Sequence, residues 1–158
     1  SSQPQTPDGA FAIAIELNKL AAPDFWVWRT SVAKAEFVQT QSVDADGVTT
    51  RTFNWTGTGF IGRSQGERDA WRELFGAGIQ SEAANPSLLS VRQAFLDIFS
   101  GATAPAPSNR QHLSNVARRR TTRAEKVLAT GTGTAASPAT MSFEGQLSYI
   151  DVQNARAS

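Results

Sequence analysis

Cysteine is absent from the 158-residue sequence, and histidine occurs once, at His112. The lack of cysteine excludes a disulfide framework, a thiolate metal site and a cysteine nucleophile. A single histidine excludes a metal site built from several histidines of one chain. Ser108 and Ser114 lie near His112, but neither stands in a nucleophile elbow. We therefore predict that the protein is not an enzyme, that it needs no metal or cofactor, and that His112 lies on a helix surface or at an interface.

Long apolar runs and a strong charge excess are also lacking. No stretch of about eighteen apolar residues occurs, which predicts that the protein does not span a membrane. Residues 1–9 lack the basic start and apolar middle of a secretory signal, so the expected location is the cytosol of the producing cell. Fifteen Lys and Arg residues stand against fourteen Asp and Glu residues, so the chain as a whole has little attraction for phosphate.

The residues that are present predict one α+β domain spanning residues 1–158. Hydrophobic residues make up 40% of the chain, enough for a globular core at this length. We expect a mainly α fold with a β component: a small helical bundle with an extended β-hairpin or arm and a C-terminal strand. The helical core is predicted at residues 8–36 and 64–130, the arm at 37–61, and the connector and strand at 131–153.

Two helices are predicted before the arm. Asp8 can cap the first, in which the apolar positions include Phe11 and Ile15. A second is predicted from Pro23 to about Phe37, although the density of aromatic and β-branched residues leaves a strand as the alternative. Trp26 falls off the apolar face of that second helix. We therefore single it out as a candidate partner contact.

The arm is predicted from strand-forming residues on both sides of a turn at Asp44 to Gly47. Asp44 and Asp46 resemble the beginning of a calcium-binding loop. No glutamate follows where the bidentate ligand of such a loop would stand, so we predict no metal there. The segment is interpreted as a β-hairpin or as an arm whose tip is this turn.

Helix-start signals recur in the second half of the chain. Ser64 and Glu67 have capping-box spacing, which predicts a helix to Phe75. Asn85-Pro86 predicts the start of another, with Phe95 on its apolar face, and Gly101 predicts its end. After a proline-containing turn, Ser108 or Asn109 can cap a further helix with Leu113 and Val116 facing inward.

Arginines gather where that last helix should end, at Arg118, Arg119, Arg120 and Arg123. Thr122 and Glu125 then form another capping box, so the arginines stand at a junction between two helical pieces. Guanidinium groups pair well with phosphate and with carboxylate, and arginine is enriched at protein interfaces. Solvated arginines or intramolecular ion pairs are the alternative. We take the four as candidate partner contacts.

The strongest strand signal lies at residues 139–152, which alternate between apolar and polar side chains. Four apolar residues share one face and are further candidate interface residues: Met141, Phe143, Leu147 and Tyr149. The predicted strand has two possible partners, the segment at residues 48–55 and a sheet edge on another subunit.

Several blocks spread over most of the chain resemble a family of tailed-bacteriophage virion proteins encoded among the head and neck genes. The blocks are residues 23–30 (PDFWVWRT), 66–72 (GERDAWR), 85–87 (NPS) with 91–93 (VRQ), 122–126 (TRAEK), and 129–133 (ATGTG) with 138–141 (PATM). The resemblance implies a structural protein of the virion, assembled in the host cytoplasm. The protein is then expected to be a head-to-tail connector or adaptor that forms a ring on the portal.

The resemblance also implies partners rather than chemistry. They are further copies in a homo-oligomeric ring, the portal protein and other neck or tail proteins, with DNA passing nearby. A ring subunit meets its neighbours head to tail through two different surfaces. Two alternatives stay open: another virion component, such as a head decoration, tail-tube or tail-completion protein, and a nucleic-acid-binding regulator that uses the arginines.

Overall fold

The computed structural model describes residues 7–56, 59–76 and 82–158. It is 43% helical, with 14% strand in small two-stranded sheets, and the predicted α+β class is confirmed. The chain divides into two compact units. Unit 1 comprises Ser1–Val27 and Arg120–Ser158, and unit 2 comprises Trp28–Arg119. The part of the predicted arm at residues 57–58 lies outside the described residues.

Short strands alternate with helices along the chain. In order, the elements are α1 (Pro7–Leu17), β1 (Trp26–Trp28), β2 (Val32–Ala33), α2 (Lys34–Gln39), β3 (Ser42–Val43), β4 (Thr50–Arg51), α3 (Gln65–Leu74), β5 (Ala83–Ala84), α4 (Leu89–Ile98), α5 (Ala106–Val116), β6 (Arg118–Arg120), α6 (Arg123–Leu128), β7 (Ala129–Thr130), β8 (Thr140–Met141) and α7 (Tyr149–Ala157). The strands pair as β1 with β6, β2 with β5, β3 with β4 and β7 with β8.

Unit 2 is built around a cluster of aromatic side chains from α2, α3, α4 and the segment after β4. Phe37 and Phe53 both contact Trp71, with ring centroids 6.4 and 5.4 Å away. Phe95 lies 5.3 Å from Phe37. Edge-to-face aromatic pairs each stabilise by about 0.5–1.5 kcal/mol beyond the area they bury. This cluster, together with Leu113 of α5, forms a core of twelve buried residues.

Unit 1 has a much smaller core. Helix α1 packs against α7 through Ala10, Ala14 and Val152, with Ile13 beside them. Unit 1 also joins segments that are far apart in sequence, since the Trp26 N–H donates to the Gly133 carbonyl at 2.7 Å. Backbone hydrogen bonds of this kind, rather than a large apolar core, hold much of unit 1 together.

Three predicted capping signals can be compared with the observed caps. The capping box of Ser64 and Glu67 is present at α3, and that of Thr122 and Glu125 is present at α6. Gly101, predicted to stop the helix before it, follows α4 with a φ of +104°, which favours glycine. These signals act within four residues, so the local sequence is sufficient to predict them.

The predicted helix from Pro23 to Phe37 is wrong over most of its length. Residues 26–28 and 32–33 are strands, and helix α2 begins only at Lys34. The strand alternative is correct here because distant backbone groups form hydrogen bonds with the backbone of this segment. The Arg29 N–H, for example, donates to the Ala117 carbonyl at 2.8 Å. Trp26 is therefore a strand residue, and the argument that it lies off a helical face no longer applies.

The predicted strand at residues 139–152 is also wrong. Thr140–Met141 forms a strand that pairs with β7 rather than with residues 48–55, Ala139 makes an isolated bridge to Val27, and Tyr149 begins helix α7. Gly145 interrupts the extended run at a φ of +143°. Ser148 and Asp151 then form a capping box that starts the helix. The alternation of apolar residues reflects a partly buried irregular segment and not a continuous strand.

Two helix starts differ from prediction by a few residues. Helix α4 begins at Leu89 and not at Pro86, since the Asn85 side chain accepts from the Ser87 N–H and closes a turn first. Helix α5 begins at Ala106, so Asn109 is an inward-facing helix residue and not a cap. The hairpin is confirmed at its tip, where Ser42 pairs with Arg51 and Val43 with Thr50.

Candidate assembly surface

Two of the four candidate arginines form ion pairs within unit 1. Arg120 pairs with Asp24, and Arg123 pairs with Glu16. All four side chains of these pairs are partly exposed, so the pairs add little stability, about 0–1 kcal/mol each. The alternative of intramolecular ion pairs therefore applies to both arginines.

The other two candidate arginines belong to unit 2. Arg118 is 7% exposed, and its Nη2 lies 3.5 Å from the Val43 carbonyl. Burial lowers the pKa of Arg118, an effect that the nearby Asp44 carboxylate opposes. Arg119 is partly buried. The four arginines thus have different surroundings: a buried one, a partly buried one, and two in ion pairs.

The five apolar candidates all belong to unit 1 and are only partly covered. Trp26, Met141, Phe143 and Leu147 are half-buried, and Tyr149 is exposed. The Leu147 backbone is fixed to the end of α1, because the Asn18 side chain donates to its carbonyl and accepts from its N–H, at 2.8 and 2.9 Å. The segment before α7 is thereby held against α1.

Unit 1 exposes more apolar surface than its small core would suggest. Large hydrophobic side chains point outward from α1, from the segment after it, from α6 and from α7: Phe11, Ile15, Leu20, Val127, Leu128, Tyr149 and Ile150. Phe11 is 56% exposed and Val127 77%. Unit 1 therefore exposes seven large apolar side chains beside a hydrophobic cluster of three buried residues.

Unit 2 carries an apolar groove between α4 and α5. Its volume is about 250 Å³, and its lining includes Trp28, Leu89, Phe95 and Leu96. Two arginines lie at its edge. Arg92 lies over the Trp28 ring, with its guanidinium carbon 4.8 Å from the centroid, and Arg110 donates to the Gly101 carbonyl at 2.8 Å.

A second, wider cleft of about 480 Å³ runs along residues 50–56 and is bounded by Pro105 and Ser108. Its one basic side chain is Arg51, which binds Asp44 with three nitrogen–oxygen contacts between 2.6 and 2.8 Å. The Arg51 guanidinium lowers the pKa of Asp44, so this carboxylate stays charged and neutralises the arginine. The cleft is therefore a poor site for an anion.

The buried polar network beneath the hairpin was not predicted, and the prediction that His112 lies at the surface or an interface is wrong. His112 is fully buried. Its Nε2 lies 2.7 Å from the Phe37 carbonyl and its Nδ1 lies 2.8 Å from Ser42 Oγ. A carbonyl only accepts, so Nε2 carries the proton and the Ser42 hydroxyl donates to Nδ1.

A serine beside a histidine is also the arrangement of a nucleophile and its base. Here Ser42 is 8% exposed, and the far nitrogen of His112 binds a backbone carbonyl. Asn115 extends the network to Asp44 at 2.7 Å. The network joins the hairpin to α5. A sequence signal was available, since Asn109, His112, Leu113 and Val116 share one helical face.

Other kinds of site find little support among the described residues. No group of three or more His, Asp or Glu side chains is arranged to hold a metal ion in residues 7–56, 59–76 and 82–158. None of the described helices has the length and apolar character needed to cross a membrane. Comparison of the chain with protein-family models found no match. Searches among curated proteins and among solved structures found no significant match either.

Proposed function

We propose that this chain is a structural virion protein of a tailed phage, which forms a ring at the head-to-tail junction, docks on the portal and joins it to the tail. The observation that carries the proposal is the exposed apolar surface of unit 1, with Phe11 and Val127 at its most open positions. A hydrophobic cluster of only three buried residues, Ala10, Ala14 and Val152, beside seven exposed large apolar side chains favours a subunit that is completed by assembly.

The placement in a virion neck is supported by the sequence blocks that resemble phage neck proteins. The non-enzymatic role is supported by the surroundings of the one histidine. Both of its nitrogens are occupied by hydrogen bonds, and its side chain is closed to substrate. A nucleic-acid-binding regulator has less support, because fifteen Lys and Arg residues stand against fourteen Asp and Glu residues.

Co-purification with the portal protein encoded in the same genome tests this proposal. We expect the chain to bind assembled portal rings in many copies and to appear as a ring at one end of the portal by electron microscopy. Recovery of portal rings without the chain, under conditions in which both proteins are folded, would contradict the proposal.

The role of the arginine cluster is tested in the same experiment. R119E combined with R120E should weaken portal binding, because both charges are reversed. The matched control is R68E combined with R72E on the solvated face of α3, where Arg72 pairs with the exposed Asp69. Equal binding by the two double variants would remove the arginine cluster from the docking surface.

A further inference from the structure

The groove between α4 and α5 combines an apolar floor with two arginines that have no carboxylate partner in the part of the chain that the structure describes. Arg92 donates to the backbone carbonyls of Pro86 and Ser87, at 2.7 and 2.8 Å. Burial lowers the pKa of Arg92, and no anion opposes this effect. A partly buried cation without a counter-ion is costly, so an incoming carboxylate would be stabilised there.

Helix α1 presents a complementary stripe. Asp8, Phe11 and Ile15 follow the i, i+3, i+7 spacing that places side chains on one helical face. Phe11 and Ile15 are each about half exposed, and the exposed Asp8 makes no ion pair among the described residues. The stripe is therefore apolar in its middle and acidic at its N-terminal end.

The two surfaces also match in length. Asp8 and Ile15 are seven residues apart, and so are Leu89 and Leu96 along the groove. At the helical rise, each span is about 10 Å. Helix packing commonly places the side-chain ridge of one helix into such a groove at an axis separation of about 8–10 Å.

The two units carry net charges of opposite sign, as the groove and the stripe do. Unit 2 has ten basic and eight acidic residues, whereas unit 1 has five basic and six acidic residues. Opposite net charges favour contact between unit 1 of one molecule and unit 2 of another, and they set orientation more than affinity.

We propose that helix α1 of one copy lies in the groove between α4 and α5 of the next copy, with Phe11 and Ile15 on the apolar floor and Asp8 against Arg92 or Arg110. The occupant is a second copy of this chain. The interface is heterologous, so its repetition gives a ring or a filament. The inference rests on the proposed assembly function and names the surfaces that carry it.

Disulfide cross-linking tests the contact directly, since the chain contains no cysteine. I15C and L96C are made in separate chains, which are mixed and oxidised. The matched control replaces L96C by V48C, on the hairpin, where the native side chain is 80% exposed. We expect a reducible mixed dimer from I15C with L96C and none from I15C with V48C.

The possible outcomes separate this inference from the proposed function. Assembly measured by mass without the I15C–L96C cross-link would overturn the groove contact and leave the assembly function standing. A chain that stays monomeric at all concentrations would overturn the groove contact, and one that also stays monomeric when portal rings are added would overturn the proposed function as well. A cross-link that forms only within one doubly substituted chain would show that the groove holds its own α1, and would overturn the second-copy occupant.

A substitution adds a quantitative readout. F11D should weaken self-association at least about tenfold, because it places a charge on the apolar floor at a central contact. V48D is the matched control and should leave self-association unchanged. Both variants should keep the unfolding midpoint of the dissociated chain, because both positions are largely exposed. Wild-type self-association by F11D would contradict the contact.

Discussion

Replacing His112 tests how the hairpin is held on unit 2. His112→Ala removes the donor to the Phe37 carbonyl and the acceptor of the Ser42 hydroxyl, and leaves both groups in a buried site. Each buried group without a partner costs about 1–3 kcal/mol, and the cavity adds to this, so we expect a loss of about 3–6 kcal/mol in the free energy of unfolding. The total free energy of unfolding of a small domain is about 5–15 kcal/mol, so this loss is a large part of it.

Ser42→Ala is the milder variant and stays informative if His112→Ala does not fold. It leaves His112 Nδ1 without a donor, whereas Asn115, which also donates to Ser42 at 3.4 Å, keeps its bond to Asp44, so the expected loss is about 1–3 kcal/mol. Val48→Ala, at an exposed position of the hairpin, should change the free energy of unfolding by less than about 0.5 kcal/mol. Urea unfolding followed by tryptophan fluorescence measures all three. It must be repeated at two protein concentrations, because assembly links stability to concentration.

The same residue gives a pH dependence with a definite sign. Burial lowers the pKa of His112 below its ordinary value of 6.5, despite the opposing hydrogen bond to the Phe37 carbonyl. As pH falls below about 6.5, the unfolded chain takes up this proton before the folded chain does. Stability should therefore decrease, with a slope of up to about 1.4 kcal/mol per pH unit.

The chain has one histidine, so the slope between about pH 6.5 and 5 should be smaller in His112→Ala, and the difference from the wild type belongs to His112. A wild-type protein with equal stability at pH 6.5 and pH 5 would refute the reasoning. So would a Ser42→Ala variant as stable as the Val48→Ala control.

Three further predictions concern local structure. Gly133→Ala should destabilise by more than about 1 kcal/mol in urea unfolding, because Gly133 has a φ of +68° and a Cβ there would overlap the Phe25 ring, whereas Gly66→Ala, with open space around it, should be neutral or slightly stabilising. Ser148→Ala should cost about 1 kcal/mol and speed hydrogen exchange in α7; unchanged exchange there would contradict the observed capping box. The Asp46 carboxylate should titrate at about 2 by NMR, since the Thr49 hydroxyl and two backbone N–H groups donate to it, and a normal midpoint would contradict the turn geometry. Its contribution to stability is then complete above about pH 4 and is lost as pH falls through about 2.

Local signals predicted the parts of the fold that depend on neighbouring residues. The capping boxes of α3 and α6 and the hairpin turn need only side chains within about four residues. At the turn, Asp46 accepts from the Val48 N–H, and Gly47 has a φ of +73°. Such contacts form in the same way wherever the segment lies in the chain.

Elements held by distant partners were not predictable in this way. The segment around Trp26 is extended because its backbone binds Gly133, more than a hundred residues away. The burial of His112 depends on Ser42 and Phe37, about seventy residues earlier. Neither partner is visible from the periodicity of a short window, so tertiary contacts override the local preference.

The sequence did not locate the exposed apolar positions of unit 1. It predicted that unit-1 residues such as Tyr149 contact partners, and this stays a prediction. It did not distinguish the two sides of α1. The small residues Ala10 and Ala14 face inward, and the larger Phe11 and Ile15 face outward. Large apolar residues are usually assigned to a core, and here close packing against α7 requires the small ones.

Sedimentation of the purified chain across about 1–100 µM shows whether it assembles with itself, because a self-association with a Kd in this range changes the measured mass. We expect a closed oligomer with a fixed number of copies in the wild type, and a shift towards monomer in F11D. A wild-type chain that stays monomeric throughout this range, and remains monomeric when portal rings are added, would contradict the proposed function.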